Sequence, residues 1–402
     1  MTEALWEAHS KEDPTSLTFF HHKKQIYIFT PAGKPVFCRY GNVLLQSSTT
    51  ATLTALISYT SSDPIQSIHA PDNIILFDTT TPLSYCIISK TGEYEKVLLR
   101  QLSILIHVLH SFISLPTIKM TLQNASNFDL RRIVAGHYSL LKNAIHLANE
   151  MVGICVGCTE IFPLQSKHRE ELLIKIDFAI NTCEKTMEKD GVLFVLILNR
   201  NKTVFARGRK GVKMSTRDIL AIIAHVNTIK VVGKKVLLPM CLSDFNENAF
   251  VQSYFNFYTE DITIVAISTQ AESFQSLNVL CCDIENMMKD IEISTPDIQC
   301  QLITQNKVLN IVVTQNHQIY TTGIFTKEQK RDVANALSRQ YTEEMINYKD
   351  YYILHKRVEE AEYVAVVNPF ITKTDLCKLD EDIFVWVKQV SPTLWLANPP
   401  LW

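Results

Sequence analysis

Cys155-Val156-Gly157-Cys158 is a spacing that suits chemistry, because two thiolates this close can grip a metal or close as a redox pair. Zinc needs four ligands, however, and no second Cys-x-x-Cys or histidine pair follows at finger spacing. Cys183 and His168 are nearby in sequence, but nothing fixes their geometry. The pair therefore reads as buried or half-buried thiols, and so does Cys281-Cys282, whose neighbouring positions on a helix point apart. His107 and His110 can share a helical face, but inside an apolar helix they read as core or edge histidines. His21-His22-Lys23-Lys24 offers groups for a metal or a phosphate and reads as a solvated approach to a strand. No metal and no cofactor is expected.

Signatures of enzymes are missing: no GxxxxGK[ST] phosphate loop, no GxGxxG after a strand, no GxSxG and no HExxH. Eleven glycines leave few loops permissive enough to cradle phosphates. Acid clusters such as Glu170-Glu171 and Asp380-Glu381-Asp382 read as helix starts, where the macrodipole favours them. The densest basic stretch is Arg207-Gly-Arg-Lys-Gly-Val-Lys213, followed past one helix by Lys230, Lys234 and Lys235. Both groups are expected at one end of a domain, where Arg207, Arg209, Lys210 and Lys213 can attract anionic lipid headgroups. Aromatics do not interleave these cations, so nucleic acid is not an expected partner. Residue chemistry alone points to a protein that binds proteins.

The elements that carry these residues follow from pattern. Ile26–Phe29 and Val36–Tyr40 flank Pro31-Ala32-Gly33-Lys34-Pro35 and read as a tight hairpin. The order continues with a helix at 46–60, strands at 65–70, 73–79 and 82–89, and a helix at 94–114. Asp63-Pro64, Pro71-Asp72 and Thr81-Pro82 punctuate the later strands. Three strands with turn-length gaps form a meander, so the first helix must cross over the sheet. Val97–Leu115 raises a transmembrane question, but Arg100, Gln101, His107 and His110 interrupt it. It reads instead as a helix buried on two sides, with Leu98, Leu102, Leu105, Leu109 and Phe112 on one face.

The same order returns after Asp190-Gly191. A strand at Val192–Leu198, a return at Thr203–Ala206 and a helix capped by Ser215 come first. Strands near 236–242, 249–258 and 261–268 and a helix near 272–290 complete the copy. A fainter third copy has strands at Val308–Thr314 and Gln318–Thr321 and a helix at 327–345. Strands near 350–356 and 362–368 and a helix near 374–389 follow. Helices near 129–150 and 164–187 link the first two copies, the latter with a stripe of Leu172, Ile176, Ile180, Cys183 and Met187. The fold class is thus α+β: three units, each a five-stranded, mainly antiparallel sheet flanked by helices. Their expected bounds are 20–125, 126–295 (linking helices included) and 296–402. With 402 residues, 47% hydrophobic and 20% charged, and a net charge of −2, the chain suits two to three globular domains without bulk attraction to nucleic acid or membrane. Ten cysteines in so long a chain make no disulfide scaffold, and the polar stretch 1–24 carries no leader-like apolar run.

Ala32-Gly-Lys-Pro-Val-Phe-Cys-Arg-Tyr-Gly41, with Leu45-Gln-Ser-Ser-Thr49 after it, resembles the opening of the vacuolar fusion protein Mon-one family. Ile65–Ala70, Asn127-Phe-Asp-Leu-Arg-Arg132, and Pro239–Asn246 with Asp261–Gln270 resemble further stretches of that family in order, and 382–394 resembles its C-terminus. The family is the tri-longin subunit of the Mon-one/Ccz-one complex, so the resemblance implies three longin domains. It also implies guanine-nucleotide exchange on a late-endosomal or vacuolar Rab GTPase, in endosome maturation, vesicle fusion and autophagy. The chain would then be cytoplasmic and peripheral on the endosome or vacuole membrane, paired with a Ccz-one-like longin protein. In the family the first longin domains pair and the Rab sits across them, with the first helix of each at that surface. The surface expected here is the hairpin Lys34–Tyr40, with Lys34, Arg39 and Tyr40, and Ser47–Tyr59 of the helix Ser47–Thr60, with Ser47, Ala51, Ala55 and Tyr59; the family's individual contacts are not carried over. Family members often carry a long polar N-terminal extension, whereas here the first domain starts near residue 20. The alternative reading is a longin scaffold that assembles a trafficking complex without exchanging nucleotide.

Overall fold

Two β-rich runs separated by Pro31-Ala32-Gly33-Lys34 turn the chain back on itself in a computed structural model of the protein. The structure describes residues 12–59, 65–125, 128–185, 187, 191–289, 293, 303, 305–339, 341–358 and 361–396. The turn signals at Asp63-Pro64 and Asp190, and also Asn127 and Thr60, lie outside the described residues. Contacts divide the chain into two units, Met1–Glu150 and Met151–Trp402.

In the first unit, β1 (Lys24–Phe29) and β2 (Pro35–Cys38) pair antiparallel, with Tyr27 opposite Cys38 and Ile28 opposite Phe37. Gly33 takes the turn at φ 78°, and its amide donates to the Thr30 carbonyl at 2.8 Å. The helix α1 (Ser47–Ser58) then carries the chain across to β3 (Ser67–Ala70) at the far edge. β4 (Asn73–Asp78) and β5 (Ser84–Ser89) return to the centre, where β5 pairs with β1. The strand order is β2-β1-β5-β4-β3. α1 lays Leu53, Leu56 and Ile57 on the sheet face that carries Tyr27, Phe29, Phe77 and Cys86. Alternate residues, Ile28, Leu76 and Ile87, point to the other face, where α2 (Glu95–Phe112) packs on β4 and β5.

α3 (Leu115–Asn124) bends away from α2 by 77°, and among the described residues no single helix is long and apolar enough to cross a membrane. α4 (Tyr138–Glu150) packs along α2 and answers the second apolar face read from the sequence. The single helix expected near 129–150 is instead broken: a short turn of helix, Arg131–Val134, and a 3-10 segment, Ala135–His137, precede α4. Gly136 in that segment has low helix propensity and supplies the weak point.

The second unit opens on a short helix, Val152–Val156, followed by β6 (Thr159–Glu160) and α5 (Ser166–Glu184). β7 (Val192–Asn199), β8 (Lys202–Gly208) and α6 (Thr216–Ile229) repeat the hairpin and crossover. The Ser215 hydroxyl caps α6 by accepting the Asp218 amide at 3.0 Å. β9 (Lys235–Cys241), β10 (Phe250–Phe257) and β11 (Ile262–Ser268) return, followed by α7 (Phe274–Met288). The order β8-β7-β11-β10-β9 copies the first sheet.

A third sheet follows, from β12 (Val308–Gln315), β13 (Gln318–Thr321), α8 (Lys327–Ser338) and β14 (Glu343–Asn347). β15 (Tyr352–Val358), β16 (Ala361–Val367) and α9 (Lys373–Leu394) complete it. Its order, β14-β15-β16-β12-β13, is again the same, with β6 added beyond β13. The third copy is therefore complete. Its faintness in the sequence came from reading one helix over 327–345, whereas the helix stops at Ser338 and Arg339 turns extended. Glu343–Asn347 is an edge strand whose acidic pair imitates a helix, though its residues alternate exposed and half-buried.

Two further expectations are corrected. Asp380 lies well inside α9, whose cap is Thr372, and it accepts hydrogen bonds from Lys356 and Tyr363 instead of facing the helix dipole. The basic groups 207–213 and 230–235 do not share an end of their domain. They flank opposite ends of α6, whose 14 residues span ~21 Å at ~1.5 Å per residue, and adjoin opposite edge strands.

Arg169 joins the second sheet to α9 of the third copy. It is 5% exposed and donates to the carbonyls of Val204 (3.1 Å), Phe162 (3.4 Å) and Thr393 (3.2 Å). Burial pushes its pKa down to about 10. On the same strap, Phe162 N–H donates to Thr203 and Leu164 N–H to Thr393, while β6 pairs with β13. Replacing Arg169 with Met strips the donor from three carbonyls, two of them on buried residues, and should cost about 3 kcal/mol. Urea unfolding followed by tryptophan fluorescence measures this, since Trp386 and Trp395 lie in and beside α9; an unchanged midpoint would contradict the role.

Candidate functional site

The first unit presents the surface that the hairpin and α1 define. Three helices occupy the crossover position of the repeated topology, and they differ in one respect. α6 buries Thr216 and everything from Asp218 to Val226, and α8 buries Gln329 and everything from Asp332 to Ser338. α1 buries only Thr50 and Leu53. Ser47, Ser48, Ala51, Thr52 and Ala55 are exposed along it, and Tyr59 is 85% exposed just beyond its end. The exposed face is built of small side chains, over which another backbone can approach closely. Ala51 also serves the fold: its Cα would sit 3.4 Å from a Cβ placed on Gly33, and the Thr50 hydroxyl donates to the Gly33 carbonyl at 2.7 Å. α1 is thereby seated on the hairpin turn, with Lys34 exposed beside it.

Arg39 and Tyr40 are placed differently from Lys34. Tyr40 is 8% exposed and stacks on His22, with ring centroids 3.6 Å apart and planes 2° from parallel. The Arg39 guanidinium lies 4.9 Å from the Tyr40 ring and donates to the Lys24 carbonyl at 3.2 Å. Burial lowers the Arg39 pKa. Both side chains hold the second strand to the segment before the first, so the open part of the surface is Lys34 and the face of α1.

His22 and Lys24 are not the solvated approach that the sequence suggests. His22 meets Glu12 at 2.6 Å as well as Tyr40. Lys24, 5% exposed, donates to Gln101 Oε1 at 2.8 Å and to Asn149 Oδ1 at 3.1 Å, and pairs with Glu93 at 2.5 Å. Gln101 Nε2 donates to the other Glu93 oxygen at 2.7 Å. One ammonium thus ties β1 to α2, to the end of α4 and to the turn before α2. Burial by itself pushes the Glu93 carboxyl up, but the charge and hydrogen bond of Lys24, with bonds from Thr91 and Gln101, outweigh it and hold the pKa below the usual range.

The histidines at 107 and 110 are buried; His107 Nδ1 meets the Ser103 carbonyl at 2.9 Å, and burial lowers His110 to about 4. Cys155 is buried in the short helix Val152–Val156, and Cys158 follows Gly157, which ends that helix at φ 77°. Cys281 is buried and Cys282 half-buried, as expected of neighbours on a helix. In the basic stretch, Arg207 is clamped by Asp177 at 2.8 and 3.2 Å, while Arg209, Lys210 and Lys213 are exposed between β8 and α6. Phe37–Leu44 and Asp129–Lys142, distant in sequence, meet across one groove beside β2. Neither that groove nor Arg169 was singled out from the sequence, although Arg169 lies one turn before Leu172 on the buried stripe of α5.

Comparison with known proteins bears on the architecture. The sequence profile described as the first longin domain of FUZ, MON1 and HPS1 matches residues 24–144, and that of the second longin domain matches 190–285. These spans hold the first and second sheets, so the architecture is that of longin domains. Protein SAND of Takifugu rubripes is 26% identical over 273 residues, 67% of this chain and 51% of the relative. The vacuolar fusion protein MON1 of Yarrowia lipolytica is 26% identical over 289 residues (69% and 52%), and the Arabidopsis thaliana MON1 homolog 25% over 281 (68% and 45%). The chain belongs to the Mon1 family of longin-domain proteins. It spans about half the length of the curated relatives it matches.

The Lys24 network seats the strand that carries the hairpin, and its charge can be tested. Glu93 contributes stability above the ordinary glutamate range, lost as pH falls through its depressed pKa. Replacing Lys24 with Met leaves Glu93 buried without its counter-ion and should cost about 3–5 kcal/mol near neutral pH. Unopposed burial then raises the Glu93 pKa, so the deficit should shrink as acid protonates it. Urea unfolding at neutral and acidic pH reads both effects, and a deficit independent of pH would contradict them.

Proposed function

We propose that this chain is a subunit of a heteromeric guanine-nucleotide exchange factor for a late-endosomal or vacuolar Rab GTPase, acting in endosome maturation, vesicle fusion and autophagy. The observation that supports this best is the single open crossover helix: α1 leaves its small-residue face exposed, whereas α6 and α8 are largely buried. Relatives named vacuolar fusion proteins support the trafficking part of the reading. The partner is a Ccz-one-like longin protein, and Lys34, Ser47, Ala51, Ala55 and Tyr59 form the surface for it or for the GTPase. Arg39 and Tyr40 act from beneath, by fixing the hairpin.

Such a subunit needs no catalytic side chain. The complex binds the nucleotide-free GTPase more tightly than the nucleotide-bound one, and nucleotide leaves because that difference opposes its retention. A shift from 1:99 to 99:1 takes about a 10⁴-fold difference in affinity, within reach of one protein interface. An anionic membrane surface is the proposed partner of Arg209, Lys210 and Lys213, at ~1 kcal/mol per cation. Arg207 contributes less because Asp177 already neutralises it. The site of action on this reading is the cytoplasmic face of the endosome or vacuole membrane.

The test is release of fluorescent GDP from candidate late-endosomal Rabs by the purified heterodimer. Release should accelerate with one of them, and Ala55→Arg, on an exposed position, should reduce the acceleration by about tenfold or more, a loss of at least ~1.4 kcal/mol, with unchanged thermal unfolding. A stable heterodimer that accelerates no Rab would overturn exchange in favour of a longin scaffold.

A further inference from the structure

The groove beside β2 is not used by the reading above. It encloses about 540 Å³, a volume in the range of ligand sites. One wall is Phe37, Cys38 and Arg39 with the Val43-Leu44 turn; the other is the segment from Asp129 to Lys142. Its charge is uneven. Arg39, Arg131, Arg132 and Lys142 line it against a single carboxylate, Asp129. That carboxylate is spent on Arg131, whose Nε and Nη2 both donate to it at 2.7 Å. The groove therefore concentrates positive charge on a chain whose net charge is −2. Arg39 Nε is buried there without a hydrogen-bond partner.

The groove also offers apolar surface and a strand edge. Leu44 lines it and is 61% exposed, and Leu45 next to it is 58% exposed. β2 is the last strand of its sheet on this side. Val36 turns its carbonyl outward, where it accepts the Tyr138 hydroxyl at 3.3 Å. By the alternation of an antiparallel ladder, Cys38 turns its peptide groups to the same outer side.

We propose that this groove docks an extended acidic peptide segment of a protein partner. Its carboxylates meet Arg132, an apolar side chain lies against Leu44, and its main chain meets the outward peptide groups of Cys38. The combination of cations, apolar rim and strand edge favours a peptide over a lipid headgroup, which needs only the cations. The proposal does not depend on nucleotide exchange.

The probe is a short fluorescein-labelled peptide of alternating glutamate and valine, titrated with the full chain and followed by anisotropy. Saturable binding that weakens with salt is expected, along with no binding of the lysine–valine counterpart. Arg132→Glu and Leu44→Asp, both at exposed positions, should each weaken binding about tenfold. Circular dichroism of the two variants verifies that they fold. Failure of the glutamate peptide to saturate, or binding that neither variant alters, would overturn the proposal. So would binding to phosphatidylserine vesicles that Arg132→Glu abolishes while the peptide does not bind.

Discussion

A strand pair that opens a sheet and a meander that must end against its first strand impose one constraint: the chain has to cross the sheet before it can close it. Antiparallel neighbours can be joined by a turn, but the step from β2 to β3 runs from one edge to the other and takes a helix to span it. The protein meets this constraint three times with the same strand order. The copies differ most plainly in how far the crossover helix is covered. In the second and third copies it is buried over most of its length, in α6 largely through apolar residues and in α8 together with Gln329, Asp332, Asn335 and Ser338. In the first, the sequence Ser-Ser-Thr-Thr-Ala-Thr-Leu-Thr-Ala-Leu-Ile-Ser gives it one apolar edge and an open small-residue face.

Exposing that face requires that α1 be held by few contacts of good geometry. The Gly33 turn receives Thr50 and approaches Ala51, Leu53 reaches the sheet, and the hairpin itself is pinned from below. The pins are polar and buried: Lys24 with Glu93, Gln101 and Asn149, and Tyr40 between His22 and Arg39. A partially open domain can keep a fixed surface this way, because a buried polar network with its partners in place rigidifies the elements it joins. In the second unit Arg169 performs the same kind of task between a sheet and the end of α9.

The architecture was largely legible in the sequence because turns and periodicity are local. The hairpin at Gly33, the cap at Ser215, and β13 at Gln318–Thr321 stand where the pattern put them. What escaped was decided by tertiary context. β14 is a short edge strand whose Glu343-Glu344 carries no strand signature, and β6 is two residues long. His22 and Lys24 looked solvated because their partners, Tyr40, Glu93, Gln101 and Asn149, lie up to 125 residues away. For the candidate surface, the small residues of α1 were readable, but exposure was not. Only the fold separates Lys34, which is open, from Tyr40, which is stacked inside.

The central claim is that the open crossover helix of the first longin domain is where this chain meets its partners. Hydrogen–deuterium exchange of the chain alone, with its longin partner, and with partner plus nucleotide-stripped GTPase tests it most directly. The account predicts slowed exchange over 47–59 and the hairpin turn at 30–34, with α6 and α8 unchanged. Unaltered exchange along α1, with new protection confined to the second or third sheet, would contradict it.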